Sequence, residues 1–91
     1  MIANVLSIAG TDPSGGAGIQ ADIKAFSAMG AYACSVVTAV VAQNTRGVRS
    51  VRAMDPGFVA EQIDAVFEDV RIDAVKIGMI ANAGIARTVA D

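Results

Sequence analysis

The chain has 91 residues, 54% of them hydrophobic and 4% aromatic, with a formal net charge of −2, a single cysteine and no histidine. This excludes an internal disulfide, a zinc site of the Cys/His kind, and serine–histidine or cysteine–histidine catalysis within the chain. The charge balance gives no electrostatic reason for nucleic acid or an anionic membrane as partner, and the longest apolar run is about half the ~20 residues a membrane helix needs.

In chain order, "NVLSIAG" reads as a buried strand that ends at Gly10. After a loop rich in glycine, Ile19, Ile23, Phe26 and Met29 recur at helical spacing, and Gly30 is placed as a C-terminal stop. "ACSVVTAVVAQ" is continuous and β-branched, which predicts one strand covered on both faces, with Cys34 as a buried structural thiol. "NTRG" breaks it and "VRSVRAM" follows as a short strand. Asp55 before Pro56 marks a helix start, and the helix is expected to turn Phe58, Val59, Ile63, Val66 and Phe67 inward and Glu61, Asp64 and Glu68 outward. "IDAVKIGMI" predicts another buried strand, and Asn82 can cap a last helix running to Asp91. Alternating strands and helices imply an α/β architecture with a mostly parallel sheet flanked by helices.

No Lys or Arg precedes Lys24, so the start lacks the charged region of a secretory signal, and the expected setting is cytoplasmic. "IARTVAD" stops inside a helical pattern. The expectation is that residues 1–91 are the N-terminal portion of a larger single domain.

The loop "GTDPSGGAG" admits three readings. A phosphate-binding P-loop fails, because Gly16 and Ala17 stand where Lys and a hydroxyl are needed. A dinucleotide fingerprint is met at Gly16, Gly18 and Ala21, but the turn from Gly10 is too long, and Gln43 and Asn44 replace the acidic ribose partner. The third reading is a ligand that donates hydrogen bonds, since Asp12 and Asp22, the latter expected in the first helical turn, would oppose an anion.

Ligands of open parallel sheets gather at the carboxyl ends of strands, where Gly10, Gln43 and Met79 fall, with Asp22 above the first. A Gln amide pairs with the amino edge of an adenine, and an aminopyrimidine presents the same edge. Blander roles remain open: Asp22 stabilising its helix, Gln43 solvating a strand end, Met79 filling the core. Arg46, Arg49 and Arg52 do not share one strand face and read as solvated surface.

The run "SIAGTDPSGGAGIQADIKAFSAMGAYACSVVTAVVAQNTRGV", continued by "VRIDAVKIGMI", resembles the hydroxymethylpyrimidine/phosphomethylpyrimidine kinases of thiamine biosynthesis over essentially the whole chain. The motifs "AGTDPSGGAGIQAD", "AQNT" and "KIGM" carry the resemblance. It implies a ribokinase-like fold and ATP-dependent phosphorylation of 4-amino-5-hydroxymethyl-2-methylpyrimidine and its monophosphate. It also implies a pyrimidine site lined by residues matching Gly10, Asp22, Gln43 and Met79. Asp22 would engage the hydroxyl or ring-nitrogen side, Gln43 the amino edge and Met79 the ring face, while Gly10 admits close backbone approach. The resemblance further implies ATP and Mg2+ bound mainly by a C-terminal part, a homodimer when complete, and no catalytic residue within these 91. Two alternatives stand beside it: a pyridoxal kinase-like relative, and a truncated, non-catalytic pyrimidine-binding module.

Overall fold

The computed structural model describes residues 2–78 together with Gly84 and Arg87. Met79 and Asn82 lie outside the described residues. Of the expected last helix, Gly84 and Arg87 are described, and both are helical.

Strand β1 (Asn4–Ala9) leads through the glycine-rich loop to helix α1 (Gly18–Ala28). Strands β2 (Tyr32–Val37), β3 (Ala39–Asn44) and β4 (Gly47–Ala53) follow, then helix α2 (Pro56–Asp69) and strand β5 (Ala74–Ile77). A parallel sheet has the order β2-β1-β5, and β3 and β4 form a separate antiparallel ribbon. The α/β class with a mostly parallel sheet is therefore as expected.

Alternation along β1 sorts its side chains between two layers. Leu6 and Ile8 pack with Val36 of β2 and Val59 of α2 as the buried core, with Cys34, Met54, Ile63, Val66 and Ile72 against it. Ser7 points to the opposite face, towards α1. Helix α2 starts as its sequence dictates: the Asp55 carboxylate accepts from the Phe58 amide at 3.3 Å, with Pro56 preset at the first helical position. The helix α1 has no side-chain cap and ends at Gly30, whose φ of +84° only glycine adopts without strain.

The predicted single strand over 33–43 is two strands. At buried Thr38 the chain leaves the parallel sheet: the Thr38 amide donates to the Ala9 carbonyl at 2.9 Å, and its carbonyl accepts from the Met54 amide at 2.8 Å. β-Branched residues suit both sheets equally, so composition carries no mark of the handover. In place of cover on both faces, β3 buries Ala39 and Val41 and exposes Val40 and Ala42.

Other expectations of burial are also corrected. The inward stripe of α2 is Val59, Ile63 and Val66; Phe58 and Phe67 lie about a quarter turn to either side of it and are each 51% exposed. Met29 caps α1 beyond its last turn and is exposed. Cys34 is half-buried. Among the described residues, strand β5 is exposed along its length: it pairs with β1, while α1 packs on β1 and β2, and α2 on β2. Glu61, Asp64 and Glu68 face outward as expected, and Arg46, Arg49 and Arg52 are exposed.

Candidate active site

The loop between β1 and α1 is closed by backbone geometry. Gly18 has φ +62°, and a Cβ there would stand 2.3 Å from the Gly10 carbonyl oxygen. This permits the Ile19 amide to donate to that carbonyl at 2.9 Å, seating the start of α1 on the end of β1. The ribbon is fastened to the same loop: the Thr11 amide donates to Ala39 O at 3.0 Å, and Thr11 Oγ1 accepts from the Val41 amide at 3.0 Å.

Asp12 fills the loop from within. Its carboxylate accepts from the Ser14 amide at 2.9 Å, the Ser14 hydroxyl at 2.6 Å and the Gly16 amide at 3.0 Å. The Ser14 hydroxyl is the largest influence on its pKa; together with the backbone amides it outweighs burial and holds the carboxyl below its ordinary value. The Ser14 and Gly16 amides, donors of the kind that cradle a phosphate, are thus occupied by the chain's own anion. The P-loop reading fails in the structure for a second reason beyond the missing lysine.

Beside this loop, a cavity of about 200 Å³ opens at the carboxyl ends of β1 and β3. Gly10, Asp22 and Gln43 all line it, joined by Lys76 and by apolar walls from Ala9, Val41, Val48 and Val51. Three of the four expected site residues therefore converge. The fourth, Met79, lies outside the described residues, although Gly78 before it is on the cavity wall. Gln43 follows a register shift between Ala42 and Gln43 in the β3–β4 ladder.

Asp22 lies in the second turn of α1, so the expected first-turn helix role is corrected. Its Oδ2 accepts from the Ser7 hydroxyl at 2.7 Å, and Oδ1 meets Lys76 Nζ at 2.5 Å. Burial pushes its pKa up, but the Lys76 ammonium and the Ser7 hydroxyl outweigh burial and bring it below the ordinary carboxylate value. The group is a charged acceptor in an apolar wall. Lys76 and Ser7 were not singled out from the sequence. The available signal is a polar residue flanked by apolar ones near the middle of each of two strand runs, Ser7 in "NVLSIAG" and Lys76 in "IDAVKIGMI".

No three Asp, Glu, Cys or His side chains converge among the described residues in a way that could hold a metal ion. The Ser14 and Gly16 amides are turned to the Asp12 carboxylate, while Asp22 keeps a place on the cavity wall beside its bonds to Ser7 and Lys76.

A parallel sheet between helices, with a small antiparallel ribbon closing over the strand ends, defines a ribokinase-like kinase fold. Two solved structures share it: phosphomethylpyrimidine kinase from Clostridium difficile 630, with TM-score 0.91 and 52% identity over 96% of this chain and 38% of that one, and pyridoxal kinase from Staphylococcus aureus in complex with AMP-PCP and pyridoxal, with TM-score 0.87 and 30% identity over 98% and 33%. Residues 12–91 match the phosphomethylpyrimidine kinase family, and the chain belongs to that family. It is 68% identical over 88 residues to the hydroxymethylpyrimidine/phosphomethylpyrimidine kinase of Escherichia coli K12, covering 97% of this chain and 33% of that protein. A thiamine biosynthesis multifunctional protein of Corynebacterium efficiens is 54% identical over 93% of this chain and 12% of its own length. The chain spans about a third of the length of the E. coli relative.

Proposed function

We propose that this chain supplies the pyrimidine-binding part of a kinase that phosphorylates 4-amino-5-hydroxymethyl-2-methylpyrimidine, and then its monophosphate, for thiamine biosynthesis. The observation that carries this reading is the cavity in which Gly10, Asp22 and Gln43 meet. Gln43 offers a donor and an acceptor to the amino edge of the ring, as an amide does to adenine. Asp22, held as an anion, accepts from the substrate hydroxyl or a ring-side donor. The valines of the ribbon take the apolar face and the methyl substituent, and Met79 is assigned to the ring by family resemblance.

ATP and Mg2+ are assigned to the remainder of the family enzyme, and no residue of this chain is given a catalytic role. Phosphoryl transfer depends on positioning both substrates and neutralising the transferred charge, so these 91 residues alone are expected not to turn over. A cytoplasmic homodimer is the setting proposed for the complete enzyme. No helix among the described residues is long and apolar enough to cross a membrane.

A pyridoxal kinase-like preference is the second reading, favoured by the likeness to the S. aureus enzyme with pyridoxal bound. The deciding experiment is an ATP-dependent phosphorylation assay on the complete enzyme with the pyrimidine and pyridoxal as competing substrates. Preferential phosphorylation of the pyrimidine is expected. Preference for pyridoxal would overturn the substrate assignment, and pyrimidine binding without turnover would leave a non-catalytic binding module.

A further inference from the structure

Ser7 and Lys76 are directly opposed partners on the adjacent parallel strands β1 and β5. Opposed residues project from the same sheet face, and on that face α1 brings Asp22 between them. One carboxylate oxygen is taken by each: Oδ2 by Ser7, Oδ1 by Lys76. The three residues are 15 and 54 positions apart in sequence, so the arrangement exists only in the assembled fold. Their exposure is unequal. Ser7 is fully buried, the Asp22 side chain is 10% exposed, and the Lys76 side chain is 56% exposed and lines the cavity with Asp22.

We propose that Lys76 is a positioning residue for substrate recognition: its ammonium fixes and neutralises the Asp22 carboxylate on the cavity wall, so that the site takes an uncharged, hydrogen-bond-donating heteroaromatic ring. This rests on the reading of the cavity as the pyrimidine site. A lone carboxylate in an apolar wall would favour a cationic ring or its own protonation. Paired with Lys76, it remains an acceptor while the pair carries no net charge. Ser7 restrains the other oxygen, so the carboxylate plane is set from two sides. Lys76 acts through Asp22, and no contact with the reacting atoms is assigned to it.

The test compares wild-type, Lys76→Met and Lys76→Arg forms of the complete enzyme, with KM for the hydroxymethylpyrimidine, KM for ATP, kcat and Tm measured on each. Lys76→Met keeps the stem of a half-exposed side chain and removes its charge, so the fold is expected to persist. Loss of a charge-assisted contact predicts a rise of about tenfold or more in the pyrimidine KM. The KM for ATP and kcat should stay within about twofold, and Lys76→Arg should recover most of the loss. An unchanged pyrimidine KM, or a loss confined to kcat, overturns the role of Lys76. A lower Tm in Lys76→Met with wild-type pyrimidine KM would show that the pair is structural alone, and also overturns it. Wild-type enzyme that phosphorylates no pyrimidine overturns the underlying site reading as well, so the two failures are told apart by the wild-type control.

Discussion

Asp12 and Asp22 are the same side chain, ten residues apart, both buried and both held below the ordinary carboxyl pKa. Their partners differ in kind. Asp12 is satisfied within four residues by its own loop, whereas Asp22 draws on strands 15 and 54 residues away. The first carboxylate shapes a turn and presents little to a ligand. The second depends on the tertiary fold and lines the cavity. A depressed pKa therefore does not by itself distinguish a structural carboxylate from a binding one; the reach of its partners and the cavity beside it do.

The largest effect is expected at the joint between the two. Gly18 has a positive φ and no room for a Cβ against the Gly10 backbone, which cannot swing aside as a side-chain tip can. Gly18→Val should destabilise the fold by about 3 kcal/mol or more, from strain and overpacking together. Chemical denaturation would show this as a lower midpoint. A wild-type midpoint would mean that α1 can be reseated without the Gly10 contact, and the positions of Asp12 and Asp22 would then be independent.

Next comes Asp22→Asn, which keeps the shape and removes the charge. Stability is expected to fall by about 1–3 kcal/mol at neutral pH, with weaker pyrimidine binding. Acid provides a second readout. With its folded pKa below the ordinary 3.8, Asp22 contributes stability that is present above that value and lost as pH falls through the folded pKa. Wild-type Tm should therefore drop more steeply than that of Asp22→Asn below about pH 4. Parallel Tm–pH curves would refute a net stabilising role for the pair.

Gln43→Leu should leave stability nearly unchanged, because among the described residues the Gln43 carboxamide is not held by a protein partner as Asp22 is. Pyrimidine affinity is expected to weaken by about 1–3 kcal/mol, measured by titration calorimetry on the complete enzyme. Unchanged affinity would remove Gln43 from the recognition edge and leave Asp22 as the polar determinant.

Much of this organisation is legible in the sequence, and the reasons for the rest are physical. Periodicity placed β1, α1 and α2, and Asp55–Pro56 announced the α2 start, because those signals are local. The split at Thr38 was not legible, since its cause is hydrogen bonding to Ala9 and Met54 rather than any break in composition. The exposure of Val75 and Ile77 was hidden for a related reason: apolar content marks a strand without saying which layers cover it. In the site, Gly10 and Gln43 are legible as strand ends and Asp22 as the helix residue above the first of them. Lys76 required the β1–β5 register, which sequence spacing does not supply.

The smallest expected effect separates the carboxylates most cleanly. Asp12→Ala releases the Ser14 and Gly16 amides from the acceptor that holds them, while the Ser7–Asp22–Lys76 contacts are formed by other side chains. Amide hydrogen exchange should accelerate at Ser14 and Gly16 and remain near wild type at the cavity strands, because local opening samples only the segment that has lost its bonds. Asp22→Asn should show the reverse pattern, with faster exchange in β5 and α1 and a protected loop. If Asp12→Ala instead raised exchange along β5, the loop and the triad would form one cooperative unit, and the separation between a turn-forming and a site-forming carboxylate would have to be abandoned.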